Sequence, residues 1–206
     1  AKEASTEELL AAKTAQLAAY EAQSEQAQAQ LAQYNADIEA QEQRMRQIEE
    51  EMRRREEEAR KQAQAQGEAY ETVDLGNISF IWPCPSSRRI TSAFGDRESP
   101  TEGASSNHKG VDIGAASGSD ILAAAEGEVV ISTYSYSAGN YIMIDHGGGV
   151  STVYMHCSQL LADVGDSVSQ GQVIAKVGST GYSTGPHLHF GIRSGGSYVD
   201  PLNYVR

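Results

Sequence analysis

Histidine is scarce in this sequence, and its placement indicates where chemistry can be done. The 206 residues include five histidines, all from His108 onwards. Two of them stand in the tripeptide His187-Leu188-His189. Residues i and i+2 of a β-strand project from the same face. A strand here would direct both imidazoles into one space, an arrangement suited to binding a metal or to acid–base catalysis beside one.

A second group of candidate ligands stands in the pentapeptide His108-Lys109-Gly110-Val111-Asp112. Gly110 disfavours a helix, so we expect His108 and Asp112 to come from a loop that runs into a strand. Taken together, the two motifs offer imidazole nitrogens and one carboxylate oxygen. Two such nitrogens and one such oxygen are a suitable ligand set for Zn²⁺. Three protein ligands leave the fourth tetrahedral position open, as in catalytic zinc sites.

Each of these motifs is weak evidence when taken alone. A lone histidine in a β domain is more often a surface residue or a hydrogen-bonded core residue than a ligand. A fourth histidine, His156, ends the strand-like stretch VSTVYMH in the same part of the chain. The three occurrences together predict a metal site with acid–base groups beside it more strongly than any one of them.

The elements that must position these residues follow a sharp change of composition. Residues 1–66 contain no Gly, Pro, His, Cys or Trp but 16 Ala and 12 Gln, whereas all 20 Gly follow from Gly67 onwards. Alanine, glutamine, glutamate and arginine are good helix formers. We predict one helix over residues 1–66, ended by Gly67, then a short linker at 67–77 and a folded domain at 78–206.

The helical segment repeats with a period of seven residues. Apolar residues occupy most of one heptad position, and the position three residues later is less regularly apolar, which is typical of a coiled coil. Such a stripe needs a second copy or an antiparallel helix to cover it. A lone solvated helix is the alternative, and the persistence of the repeat disfavours it. The repeating positions are Leu10, Leu17, Ser24, Leu31, Ile38, Met45, Met52 and Ala59.

Short β-type runs between turn residues replace the helical pattern after the linker. Runs at this spacing, without helical segments between them, predict a compact all-β domain. A domain of about 130 residues is long enough to bury a core. The runs are residues 78–82, 89–94, 110–113, 128–133, 141–147, 150–156, 166–178 and 187–193.

Residues from about Trp82 to Arg206 resemble the lysostaphin/LytM-type zinc endopeptidases, which cleave peptide bonds in bacterial peptidoglycan. The resemblance runs in order through TSAFGDR, NHKGVDIGAASGSDILAAAEGEVV, AGNYIMIDHGGGVSTVYMH, GDSVSQGQVIAKVGSTGYSTGPHLHFGIR and VDPLNY. It implies an all-β domain of antiparallel sheets, barrel-sandwich-like, behind the predicted coiled-coil helix. It also implies Zn²⁺ as cofactor, peptidoglycan peptides as substrate and an extracytoplasmic place in the cell envelope, secreted, periplasmic or membrane-anchored.

The resemblance also assigns roles to individual positions. It implies that His108, Asp112 and His189 are the zinc ligands. It implies that His156 and His187 are the catalytic histidines, which activate water and stabilise the tetrahedral intermediate. The sequence leaves open which of these two is the base.

Two other functions compete with the endopeptidase. Coiled-coil proteins with domains of this type often lack zinc ligands and activate cell-wall amidases during division, but this sequence keeps all five site residues. The stretch GDSVSQGQVIAKVG resembles the hairpin of lipoyl or biotin carrier domains. Those domains need a modified lysine at a hairpin tip, whereas Lys176 lies within a strand-like run. We therefore favour the enzyme.

Charge and hydropathy exclude other classes. The net charge of −12 and a pI of about 4.8 disfavour binding to nucleic acid. No apolar run approaches the roughly 18 residues of a membrane span. The opening AKEASTEELL has no signal-peptide pattern. We expect a processed or shortened chain, and an upstream signal or membrane anchor stays open.

The two cysteines, Cys84 and Cys157, are predicted to form a disulfide. An envelope protein occupies a space where such a bridge persists. The bridge would tie the start of the β domain to the strand end that carries His156. Two buried free thiols are the alternative.

Other residues of the domain carry weaker expectations. His146, in DHGGG, is interpreted as structural or groove-lining. Asn140, Tyr141, Tyr154 and the loop at 180–185 are hypothesised to line a substrate groove, with ordinary turn and strand packing as the alternative.

The helix is too long and too regular to be a flexible tether, which would be rich in Gly and Ser. Its partner is expected to be a second helix, either in trans or from an upstream segment. We expect it to position or occlude the active-site groove until a division or membrane partner engages it. Simple localisation and dimerisation are the alternatives.

Overall fold

The computed structural model describes residues 2–70, 73–96 and 106–205. It divides the chain into two compact units, residues 1–39 and residues 40–206. Residues 71 and 72 of the predicted linker, and Arg97 of the TSAFGDR block, lie outside the described residues. Nowhere along the described residues does a helix combine the length and the apolarity that a membrane crossing requires.

The predicted helix is confirmed as α1 (Lys2–Gln66). It ends in a left-handed glycine, because Gly67 has a φ of 72°. The amide of Gly67 donates to the Gln64 carbonyl and the amide of Glu68 to the Ala63 carbonyl, the pair of bonds that defines a Schellman cap. In the first unit, the heptad residues Leu10 and Leu17 are more than half exposed. Their coverage by a second helix stays a prediction.

Thirteen short strands follow α1 in the described residues. They are β1 (Ile90–Ser92), β2 (Gly95–Asp96), β3 (Asn107–His108), β4 (Val111–Gly114), β5 (Asp120–Leu122), β6 (Gly127–Ser135), β7 (Gly139–Asp145), β8 (Val150–Cys157), β9 (Gln159–Leu160), β10 (Ser167–Val168), β11 (Val173–Lys176), β12 (His187–Ser194) and β13 (Ser197–Val199). A 3-10 helix at Pro201–Asn203 follows them, with Asp200 as its cap.

The strands form one large sheet and two small ones, all paired antiparallel, as predicted for the domain. The large sheet has the order β1-β4-β12-β8-β7-β6-β10, and β13 pairs with β12. The small sheets are β5-β11-β9 and β2-β3. The predicted run at 78–82 is not a strand and makes a single bridge, from Phe80 to Val205.

The main core lies on one face of the large sheet. Alternate residues of β12 enter it, because Leu188, Phe190 and Ile192 are buried there, packed with Val111 and Ile113 from β4. This alternation leaves His187 and His189 for the opposite face.

Both cysteines lie in this core as free thiols, so the predicted disulfide is absent. The Cys157 thiol donates to the Tyr154 carbonyl at 3.7 Å, and the Cys84 sulfur lies 3.6 Å from the Ser86 hydroxyl. Burial raises the pKa of Cys157 to about 12, which leaves it in the unreactive thiol form. Each cysteine therefore serves as a small core residue.

The opposite face of the sheet is covered by the C-terminal part of α1. Met45, Ile48 and Met52 occupy the apolar positions of the predicted heptad ladder, and here the sheet covers them. This helix–sheet contact joins them to Val130, Ile131, Ala138, Tyr141, Met143, Val153, Met155 and Tyr198. Residues 40–66 of the helix therefore belong to the same compact unit as the strands.

Beyond the apolar part of this contact, acidic groups face one another. Burial, with the charges of Glu56, Glu128 and Glu49, raises the pKa of Asp145 from its ordinary 3.8 to about 6. Glu49 and Glu56 belong to the helix and Glu128 to β6. A carboxyl whose pKa is raised by folding stabilises the folded state only while it is protonated. The contribution of Asp145 to the free energy of unfolding is therefore lost as pH rises from about 4 to about 6.

Asp145→Asn is therefore expected to stabilise the protein at pH 7.5, by about 1 kcal/mol once partial exposure is allowed for. At pH 4 the parent is already protonated, and the gain should vanish. Thermal unfolding at both pH values measures the effect, with the exposed Asp163→Asn as the matched control. An equal change of Tm at the two pH values would contradict this account.

Candidate metal centre and active site

Three potential ligands meet on the sheet face opposite the core. His108 ends β3, Asp112 lies in β4 and His189 lies directly opposite Asp112 on β12. Asp112 Oδ1 lies 3.1 Å from His108 Nε2 and 3.0 Å from His189 Nδ1. The two nitrogens are 3.0 Å apart. The three atoms thus form a nearly equilateral triangle.

The triangle fits a zinc ion. Zinc bonds of about 2.0–2.2 Å to nitrogen and oxygen place tetrahedral ligand atoms about 3.3 Å apart. The other nitrogen of His108, Nδ1, donates to the Ala93 carbonyl at 2.8 Å. This bond fixes the tautomer in which Nε2 offers a lone pair to a metal.

Gly110 is required for close packing around the triangle. A β-carbon at this position would lie 2.8 Å from His189 Nε2 and 2.5 Å from the Phe190 carbonyl oxygen. Any side chain here would therefore displace His189 or β12.

The charges at the triangle also suit a cation. Burial opposes ionisation of Asp112, but its close contacts with the His108 and His189 rings outweigh burial and hold its pKa well below the usual range. Burial lowers the pKa of His189 and favours its neutral, ligating form. One ionised carboxylate and neutral imidazoles are the protonation states that zinc requires.

His187 lies beside the triangle, as the alternation of β12 predicts. Its Nδ1 donates to the Gly185 carbonyl at 2.8 Å, and its Nε2 lies 3.7 Å from Asp112 Oδ1. The ring is therefore oriented with Nε2 towards the three potential ligands.

His156 reaches the same space through a β-bulge. Residues Met155 and His156 of β8 together oppose the single residue Tyr141 of β7. The φ of His156 is 63°, in the left-handed region. Met155 faces the helix, and the bulge turns the His156 side chain to the same side of the sheet. The His156 ring centroid there lies 4.7 Å from that of His187.

The loop after β11 holds His156 in place, a role that the sequence did not reveal. His156 Nδ1 donates to the Thr180 carbonyl at 2.9 Å, which leaves Nε2 for the site. The Thr180 hydroxyl donates to the Cys157 carbonyl at 2.7 Å and accepts from the backbone N–H of Asn140 at 3.0 Å. Burial, then the charge of His187, lowers the pKa of His156 to about 3, so this ring is neutral at pH 7.

The hypothesised groove-lining residues have different surroundings. Asn140 donates from Nδ2 to the Cys157 carbonyl at 3.0 Å, and Tyr141 is buried in the helix–sheet contact. Tyr154 lies in the core, where its hydroxyl accepts from the Ala124 amide at 2.8 Å. For Tyr154 the packing alternative holds.

His146 is positioned by two neighbours away from the triangle. Its Nδ1 donates to the Glu126 carbonyl at 2.6 Å, and its Nε2 lies 2.8 Å from the Thr152 hydroxyl. Burial lowers its pKa to about 4. Both contacts agree with a structural role.

Lys176, which a carrier domain would place at a hairpin tip, lies in β11 between β5 and β9. Its ammonium group pairs with Asp120. The fold therefore offers no support for the carrier interpretation.

The described residues thus combine an antiparallel β domain with three potential metal ligands, and comparisons with known proteins place the domain in a family of peptidases. Residues 106–201 match the family described as peptidase family M23. The catalytic domain of lysostaphin from Staphylococcus simulans is 31% identical, with 65% of this chain and 98% of that one covered at a TM-score of 0.51. The chain belongs to peptidase family M23, which confirms the resemblance seen in the sequence.

Two further relatives extend the comparison. A zinc-containing peptidase from Vibrio cholerae is 35% identical, with a TM-score of 0.57 over 60% of this chain and 39% of that one. The peptidoglycan DD-endopeptidase ShyC of Vibrio cholerae is 39% identical over 55% of this chain and 27% of its own length. This chain spans about a quarter to a third of the length of the curated relatives it matches.

Proposed function

We propose that this protein is a zinc-dependent endopeptidase that hydrolyses peptide crosslinks or stem peptides of bacterial peptidoglycan in the cell envelope. The observation that carries the proposal is the ligand triangle with sides of 3.0–3.1 Å, which has two oriented imidazoles beside it. Relatives named as zinc-containing peptidase and peptidoglycan DD-endopeptidase support the choice of metal and substrate.

Each of the five site residues has a role in the proposed reaction. His108, Asp112 and His189 would hold the zinc ion, which when bound activates water and polarises the scissile carbonyl. His156 and His187 each present Nε2, because a backbone carbonyl holds each Nδ1–H. One of the two imidazoles accepts the proton of the attacking water and passes it to the leaving amine. The other, once it carries a proton on Nε2 as well, donates a hydrogen bond to the developing oxyanion.

Digestion of purified peptidoglycan tests the function. Residues 1–206 with zinc are expected to release muropeptides whose masses show a cleaved peptide bond. A chelator should stop the release and added zinc should restore it. If neither this protein nor residues 78–206 cleaves any peptide bond when loaded with zinc, the proposal fails. Stimulation of an amidase without such cleavage would establish the activator alternative instead.

We also propose that α1 regulates access to the site, with a coiled-coil, division or membrane protein as its partner. The support is that residues from Met45 to Met52 cover the sheet face on which His187 and His189 lie. The same digestion compares residues 1–206 with 78–206. A faster shorter protein would support occlusion, whereas equal rates would leave docking as the better account of the helix.

A further inference from the structure

Arg193 is completely buried, with 0% of its side chain exposed, on the sheet face that carries the candidate zinc ligands. It lies four residues after His189 in β12, and this even spacing places both on one face. The two positions are about 13 Å apart along the strand. Buried arginines are rare unless they are paired, so the partners of Arg193 are informative.

Two carboxylates of the helix bind Arg193. Glu49 accepts from Nε at 2.6 Å and from Nη2 at 3.1 Å, and Glu42 accepts from Nη1 at 3.3 Å. Glu42 also accepts from Lys109 Nζ at 2.8 Å. The Tyr198 ring lies against both cations, 4.5 Å from the guanidinium and 5.7 Å from the ammonium.

The cations and their anions come from different elements of the same compact unit. Arg193, Lys109 and Tyr198 belong to the β domain, whereas Glu42 and Glu49 lie one heptad apart on the helix. Burial opposes ionisation of Glu42, but Lys109 and Arg193 outweigh it and lower its pKa. If the helix left the sheet, the two cations would remain beside an aromatic ring without their carboxylates.

We propose that Arg193, Lys109 and Tyr198 form a carboxylate-binding subsite of the substrate groove, which Glu42 and Glu49 fill while the helix is docked. The proposal rests on the proposed function and deepens it. The ligand is an anionic peptide with a carboxylate about four residues from the scissile bond, since an extended chain spans about 3.3–3.6 Å per residue. The helix carboxylates stand in for that group.

Attachment of the helix to the sheet would not by itself require these buried ion pairs. A buried ion pair is on average no more stabilising than apolar residues of the same shape, and Met45, Ile48 and Met52 already provide apolar contact. The planar guanidinium instead offers a two-pronged fit to a carboxylate. This fork and the Lys109 ammonium both lie on the sheet face of the proposed zinc site.

The test uses the full chain and a pair of synthetic stem-peptide dimers that differ in one group. The group lies about four residues from the scissile bond and is a carboxylate in one dimer and a carboxamide in the other. Glu42→Gln with Glu49→Gln is expected to raise kcat/KM for the carboxylate dimer about tenfold or more, because the subsite is vacated. Glu51→Gln, on the exposed side of the same helix, is the matched control and should leave the rate unchanged.

Adding Arg193→Gln to this double variant should raise KM for the carboxylate dimer about 10–100-fold, the usual effect of losing charged hydrogen bonds. The carboxamide dimer should change less than about threefold. Lys109→Gln, at a half-exposed position where folding is not at risk, should act in the same direction with a smaller effect. Arg88→Gln, at an exposed arginine, is the control for lost positive charge.

Equal losses on both dimers, or none on either, would overturn the subsite. Absence of zinc-dependent cleavage of both dimers by the Glu42→Gln, Glu49→Gln protein would instead count against the proposed function. In that case calorimetric binding of the same dimers still decides the subsite, because carboxylate preference must disappear with Arg193→Gln if the proposal is right.

Discussion

Replacing His189 by alanine is expected to abolish zinc retention and to lower peptidoglycan hydrolysis by about a thousandfold or more. The imidazole supplies one corner of a triangle whose other corners are His108 and Asp112. Two ligands hold zinc far less tightly than three. A Lewis acid lowers the activation free energy of such reactions by several kcal/mol, and each 1.36 kcal/mol changes the rate about tenfold. His108→Ala should have the same effect. Metal analysis after dialysis and hydrolysis assays measure the two losses.

His146→Ala is the matched histidine control for these variants. It removes the hydrogen bond to the Glu126 carbonyl and the contact with the Thr152 hydroxyl, so a lower Tm is expected. It should nevertheless keep one zinc ion per chain. A His189→Ala protein that is free of metal and fully active would show that the ligand assignment is wrong.

His156→Ala and His187→Ala should each keep zinc and lose about 10²–10⁴-fold in kcat, the usual contribution of a general acid or base. Neither ring contributes an atom to the ligand triangle, so metal content separates this defect from the first one. Because the two rings would act on one reaction, the double variant should lose far less than the product of the single losses. Hydrolysis at the parental rate by either single variant would exclude the role given to that residue.

Local sequence patterns predicted much of the geometry of the candidate site, because its potential ligands lie on regular strands. The alternation of His187, Leu188 and His189 puts both imidazoles on one face, and β12 has this form. Gly110 indicated extended structure, but its contact with the His189 ring depends on how β12 lies against the turn before β4. Tertiary packing of this kind leaves no local pattern in the chain.

His156 illustrates a different limit. Regular alternation would put consecutive residues on opposite faces, so a sequence cannot show that Met155 and His156 share one. The bulge that achieves this depends on the Thr180 loop, 24 residues later. The state of the two cysteines also depends on tertiary structure, because buried free thiols and a disulfide can occur in similar local sequences.

The heptad pattern predicted a long helix and an apolar stripe but not what covers the stripe. At Met45, Ile48 and Met52 the cover is the sheet, because an amphipathic face fits any apolar surface of suitable shape. Carboxylates recurring every seven residues at Glu42 and Glu49 were a signal that sequence analysis overlooked. Their cationic partner Arg193 resembles a surface residue in the sequence, and only the structure shows it buried.

All four methionines of the chain meet where the helix lies on the sheet: Met45, Met52, Met143 and Met155. Methionine is unbranched and polarisable, so such a surface re-forms with little loss after its partner has moved. Oxidation would change this, because a sulfoxide is polar and fits an apolar contact poorly. The thioethers of Met52 and Met155, which are only partly buried, would be oxidised first. Peroxide would thereby loosen the helix without touching a ligand of the proposed zinc site.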